Sequence, residues 1–232
     1  MDEQRYNSAG MAVGESSVEV RARFITRTYG HLVGAIAAFT LLEIFFFKSG
    51  MAVRIFEGLM SLPWIAVLGG FMVAGWIASR VAHTAVSPVA QYAALAVYVV
   101  FEAVIFVPLL AFAEYKAPGV IGSAALVTAL GFTGLSGVVF MTRKDFSFMG
   151  GLLKWAGIVA LLTIVAGVIF GFQLGTFFSV AMIALAGGAV LYDTSNVLHH
   201  YPEDRYVGAS LSLFASIALM FWYVLRLFMS RD

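Results

Sequence analysis

Three carboxylates stand in stretches of chain that are otherwise free of charge. Glu43 precedes Lys48 by five residues, Glu102 lies in the run "VYVVFEAVIFVPLLAF", and Asp193 closes "LAGGAVLYD" shortly before His199 and His200. Acids in membrane-length apolar segments are rare, and they usually face a bundle interior, a wet cavity or a cationic partner. There they can pass a cation, exchange a proton or tie two helices together. Arg80 ends another apolar stretch and is the candidate partner of Asp193. Such a pair would be a latch, opened when the acid is protonated or a cation competes. The plainer alternatives are packing groups held by hydrogen bonds for the acids and snorkelling to the headgroups for Arg80.

Two polar stripes accompany these acids. Gln91, Leu95, Tyr98 and Glu102 recur at helical spacing, as do Ala209, Ser212, Ser216, Tyr223 and Arg226. A helix with a small and polar stripe fits a central position among other helices, and it can also line a narrow wet path. Three enzyme readings are weaker. "GLSG" (134–137) has the form used by rhomboid-type proteases, but the histidines that would serve as base, His31, His83, His199 and His200, all fall near segment ends or in loops. "YD" at 192–193 has the form of a presenilin-type motif, but the last apolar segment contains no second aspartate. His199 and His200 are helix neighbours pointing about 100° apart, with no cysteine anywhere in the chain to complete a metal site. The expectation is therefore no enzyme and no resident cofactor, with Ca2+ at most a transient visitor.

The elements that must position these residues follow from composition. Of 232 residues, 61% are hydrophobic and 12% charged, and the mean hydropathy is +0.93. A soluble domain of this size needs far more charge to cover its surface, so the bilayer is the implied solvent. A net charge of +1 gives no bias toward nucleic acid. Runs of about 20 apolar residues cross the hydrocarbon layer. Seven such runs are present, at about 27–47, 58–79, 86–112, 118–141, 153–171, 175–198 and 206–228. "GFQLG" (171–175) breaks the longest uncharged stretch as a turn. Residues 1–22 are expected to form a polar, disordered tail, and 23–232 a seven-helix transmembrane domain. The run of spans behind the tail argues against a cleaved signal peptide.

Loop charge sets the expected orientation. With the N-terminus in the cytoplasm, the inner side holds Arg5, Arg21, Arg23, Arg27, Arg80, Arg143, Lys144, Lys154 and Arg205. The outer side holds Lys48, Arg54, Lys116 and Arg231. This excess of inner cations predicts N-in and C-out.

"TRKDFSFMGGLL" (142–153), "LYDTSNVLHH" (191–200) and "ASLSLFASIALMFWYVLRLFMSRD" (209–232) resemble the Bax inhibitor-1 family, and most of all its bacterial YccA-like branch. The resemblance implies an all-α membrane fold of seven helices, with the last surrounded by the other six, in a bacterial inner membrane. It implies two functions. One is binding and modulation of an FtsH-type AAA protease; the other is a pH-sensitive calcium leak, gated by an aspartate pair on the sixth and seventh helices with an arginine of the second as alternative partner. Asp193 matches the sixth-helix acid and Arg80 stands as a possible match to the arginine. The seventh-helix aspartate falls at Ser216 and the following asparagine at Leu219. A carboxylate pair sharing one proton cannot form from those positions. That departure favours the protease modulator over the leak. Asp193, Arg80, Glu102, Glu43 and Ser216 are thus the ion-path or proton-sensing candidates.

Overall fold

In a computed structural model, residues 12–230 are described. Among them are eight α-helices: α1 (Val18–Lys48), α2 (Met51–Met60), α3 (Trp64–Thr84), α4 (Pro88–Lys116), α5 (Val120–Thr142), α6 (Met149–Phe170), α7 (Thr176–His199) and α8 (Tyr206–Met229). All but α2 are long and apolar enough to cross a membrane.

Local chemistry fixes the boundaries. The Ser17 side chain accepts from the Val20 N–H and caps α1. Gly50 takes a left-handed conformation between α1 and α2 (φ 77°), which glycine adopts without steric cost. Pro63 immediately precedes α3, and Pro88 starts α4 as its first residue. Gly171, at φ 72°, ends α6 at the head of the expected 171–175 turn.

Two boundaries differ from the sequence expectation. The second span begins at Trp64, and the residues from 51 to 60 form the separate short helix α2. Arg54 and Glu57 make this segment too polar to extend the span, and Pro63 breaks the backbone before it. The expected tail also ends earlier. From Val18 the chain is already helical, and Ala12–Ser16 are docked; residues 1–11 lie outside the described residues.

Alternating helices place the chain's links at two ends of the bundle. The proximal end holds the start of α1, the α3–α4 and α5–α6 links and the α7–α8 link. There Arg205 donates to the Ala85 carbonyl at 2.5 Å, and the Phe146 N–H donates to Ser195 Oγ at 2.8 Å. The distal end holds the α4–α5 link and the end of α8, where Lys116 donates to the Met229 carbonyl at 2.8 Å. Of the membrane-length helices α8 is the most buried, at 50% of its most apolar window, and α6 the least, at 6%. Backbone neighbours of α8 are α1, α3, α4, α5 and α7. Helix α6 instead packs its backbone on α7 and α3, with Ala160 joining Met182 and Tyr223 in an apolar cluster. The approach of α3 to α8 needs glycine: a Cβ on Gly208 would lie 2.9 Å from the Ala82 carbonyl oxygen.

Candidate functional site

Helices α7 and α8 are joined at mid-bundle by one short hydrogen bond. Ser216 Oγ donates to Asp193 Oδ2 at 2.6 Å. Ser216 is buried and Asp193 half-buried, lining a cavity of about 370 Å³. Ser79 and Tyr98 also line that cavity, whose rim carries the exposed Met72 and Trp76. A hydroxyl donor is suited to this site, because a carboxylate removed from water needs its lone pairs occupied.

Arg80 does not supply that partner. It is exposed, with its guanidinium 5.6 Å from the centre of the Trp76 ring, and the ion pairs among the described residues do not include Asp193. The expected Asp193–Arg80 latch is therefore replaced by Asp193–Ser216. The physical reason is the rotation of α3, which turns Arg80 toward the lipid-facing side while its small residues Ala78 and Ala82 face inward. Cation–π contact with a tryptophan at a membrane edge is a favourable place for a guanidinium.

Polar groups continue along α8 on both sides of Ser216. Toward the proximal end, His83 Nε2, Tyr201 OH and Ser212 Oγ form a closed triangle with edges of 3.2, 3.2 and 3.1 Å. Toward the distal end, a second cavity of about 490 Å³ is lined by Tyr98, Glu102, Tyr223 and Arg226. Tyr98 lines both cavities, so it stands between Asp193 and the buried Glu102; no hydrogen bond joins those two acids among the described residues. The two stripes expected on α4 and α8 thus meet in one polar column. His83 and Tyr201 belong to it and were not among the expected residues. Their signal is faint in sequence, since both sit at helix ends far apart in the chain.

Glu43 lies apart from this column. It is 7% exposed, and neither carboxyl oxygen has a hydrogen-bond partner. The serine of "GLSG", Ser136, is buried and bonded to Thr194 Oγ1 at 3.2 Å, which ties α5 to α7 rather than preparing a nucleophile.

At the proximal end the loop "TRKDFSF" is docked on the end of α7. Asp145 Oδ1 accepts from the Ser147 N–H at 2.8 Å and from Ser195 Oγ at 3.2 Å, while Oδ2 pairs with His200 Nε2 at 2.9 Å. The Ser147 backbone N–H, helped by His200, holds the Asp145 carboxyl well below the usual carboxylate range. His199 turns the other way, its Nδ1 on the Ser195 carbonyl at 3.0 Å. Beside it the N-terminal segment forms a clamp. The Val13 N–H donates to the Tyr201 carbonyl at 2.9 Å, Ala12 pairs with Pro202, and Ser16 Oγ donates to Glu203 at 2.9 Å. Arg21 reaches back to the carbonyls of Val13 and Gly14.

Seven membrane-length helices define an integral membrane bundle. A family model described as "Inhibitor of apoptosis-promoting Bax1" matches residues 21–232, and the chain belongs to this family, the Bax inhibitor-1 family. It is 38% identical over 116 residues to the "Modulator of FtsH protease YccA" of Escherichia coli strain K12, which covers 49% of this chain and 52% of the relative. The "Inner membrane protein YccA" of Escherichia coli O6:H1 matches to the same extent. The chain spans about half the length of these relatives. Over 227 residues, 94% of this chain and 90% of the relative, it is 25% identical to the "Golgi anti-apoptotic protein" of vaccinia virus strain Lister.

Proposed function

We propose that this chain is a non-enzymatic regulator of an FtsH-type AAA protease in a bacterial inner membrane, seated with its proximal end in the cytoplasm. The observation that carries the reading is the likeness to a relative named as a modulator of that protease. The orientation rests on charge: among the described residues the proximal half holds Arg21, Arg23, Arg27, Arg80, Arg143, Lys144, Lys154 and Arg205, against Lys48, Arg54, Lys116 and Arg226 in the distal half.

The clamp suits such a role. A protease that pulls on the N-terminus from the proximal side first meets Ala12–Ser16 bound across the α7–α8 link, and then a bundle in which α8 is held by Gly208 packing and the Ser216–Asp193 bond. Slow extraction would keep the protease occupied. A pH-gated cation leak has less support, since Ser216 stands where the second acid would be and Arg80 is engaged elsewhere.

The test is co-purification of the tagged full chain with the cell's FtsH-type protease after mild crosslinking in membranes. Recovery of the protease well above that obtained with an unrelated seven-helix membrane protein is expected. Recovery no higher than that control would overturn the reading.

A further inference from the structure

A third cavity, of about 860 Å³, opens between α1 and α5, separate from the polar column. The two helices meet through Tyr29 against Phe132 and Phe140, and their backbones do not pack on one another. Phe106 and Leu110 of α4 and Phe214 and Ile217 of α8 form the floor. Ile36, Ile44 and Phe47 line it while remaining exposed, so the cleft faces the lipid. Its lining is largely apolar, with hydroxyls from Thr40, Thr128 and Thr133 and the carboxyl of Glu43. Glu43 is buried, at 7% exposure, and both its carboxyl oxygens lack a partner; the Thr128 hydroxyl, 3% exposed, also lacks one. Lys48 and Glu114 stand at the distal mouth.

A buried carboxyl with neither oxygen bonded is strongly disfavoured in a non-aqueous site, so such groups normally meet a donor. That donor must arrive from the membrane, because the cleft opens there. Length selects what it belongs to. The cleft follows α1 from Ile36 to Lys48, about 18 Å at 1.5 Å per residue, close to the ~15 Å depth of one leaflet. A helix crossing the membrane would run on past the Tyr29 contacts. A single acyl chain fits, and the volume lies within the usual range of ligand sites.

We propose that this cleft binds a single-chain lipid that carries a free hydroxyl next to its acyl ester. The chain lies over Phe106, Phe214 and Ile217, and the hydroxyl donates to Glu43 with Thr128 beside it. Glu43 lies five residues inside Lys48, about 7.5 Å along the helix, so a glycerol hydroxyl reaches Glu43 while any phosphate stays near Lys48. A monoacylglycerol and a lysophospholipid share this chemistry and differ in the phosphate.

The experiment uses the full chain in phosphatidylcholine nanodiscs, with native mass spectrometry and a photoreactive monoacylglycerol carrying a diazirine on its chain. Unlabelled monopalmitoylglycerol, palmitoyl-lysophosphatidylglycerol and methyl palmitate are the competitors. Crosslinks are expected in α1 and α5, with methyl palmitate competing at least tenfold more weakly than the hydroxyl-bearing lipids. Glu43→Leu should weaken binding at least tenfold. Ala129→Trp, which fills the cleft from its α5 wall, should abolish it, with melting temperatures showing that both variants fold. Lys48→Ala assigns the source: a loss for the lysophospholipid alone marks a phosphate-bearing ligand, and unchanged binding of both marks the neutral one. Equal binding by methyl palmitate, or full binding by folded Glu43→Leu and Ala129→Trp, would overturn the proposal.

Discussion

Asp193 and Ser216 are bound to each other, a carboxylate on α7 accepting at 2.6 Å from a hydroxyl on α8. The acid is satisfied by a group that carries no charge at any working pH. In relatives with an aspartate at the Ser216 position, as the family resemblance implies, the same contact would join two carboxyls sharing a proton. Here the tie between the two helices needs no proton.

This contact makes predictions for two substitutions. Ser216→Ala removes the donor and leaves Asp193 underbonded, at about 1–3 kcal/mol, or roughly 2–4 °C of melting temperature per kcal/mol for a chain of this size. Its deficit should be no smaller at pH 8 than at pH 6, because the lost donor served the ionised carboxyl. Ser216→Asp places a second carboxyl against the first, where both cannot ionise without repulsion. Its deficit should grow from pH 5 to pH 8. Thermal unfolding in detergent across that range checks both, and a pH-independent Ser216→Asp deficit would contradict the geometry.

Arg80 is predicted to be nearly silent. Exposed and stacked over Trp76, it should tolerate Arg80→Gln within about 0.5 kcal/mol, whereas removing one partner of a buried ion pair would cost about 3–5 kcal/mol. Comparing the melting temperature of the variant with the parent separates the two.

The docked loop has a pH signature of defined sign. Asp145 is held below the usual carboxylate range, chiefly by the Ser147 N–H. A carboxyl depressed on folding stabilises the fold above its unfolded value of about 4, and that stabilisation is lost as pH falls through the folded value. The melting-temperature difference between parent and Asp145→Asn should thus hold constant through the neutral range as far as Asp145 is concerned, and shrink below about pH 4. At pH 8, trypsin should cut Asp145→Asn faster than the parent after Arg143 or Lys144. Equal cutting rates would show that the side chain does not hold the loop.

The clamp yields a prediction about lifetime. A Cβ at Gly14 would sit 2.8 Å from the His199 carbonyl oxygen, so Gly14→Val must lift the segment, and Arg21→Ala removes the bonds to the Val13 and Gly14 carbonyls. Both variants should be degraded faster than the parent in cells with the membrane protease and at the parent's rate in cells depleted of it. Pulse-chase measurement in the two strains decides.

Much of this architecture was legible in the residues. Uncharged runs of membrane length located seven spans, and Gly171 with Gly175 marked the turn that divides the longest one. The stripes on α4 and α8 were read as central packing or a narrow wet path, and residues of both, Tyr98 and Ser216 among them, line one cavity. The partner of Asp193 was not legible, because it depends on how far α3 and α8 are each rotated about their axes, and periodicity fixes only which residues share a face. Arg80 matched in depth and sign of charge but faces away. Helix α2 was hidden because a window of about 20 residues averages its ten with the apolar start of α3. The clamp was hidden for a different reason: it is made largely by backbone groups of Ala12, Val13, Tyr201 and Pro202, which no side-chain pattern encodes. Glu43 was found as an acid, but its lack of any partner is a property of the packed bundle alone.

The central claim is that this chain restrains a membrane AAA protease, and the most direct measurement is the rate at which that protease degrades another membrane substrate. Purified FtsH-type protease and a labelled membrane substrate are placed in proteoliposomes with ATP, with and without this chain at equal molar ratio to the protease. The account predicts slower loss of the substrate when the chain is present, with partial recovery for Gly14→Val as that variant is itself consumed. An unchanged degradation rate with the parent chain, at a ratio where it is fully inserted and folded, would contradict it.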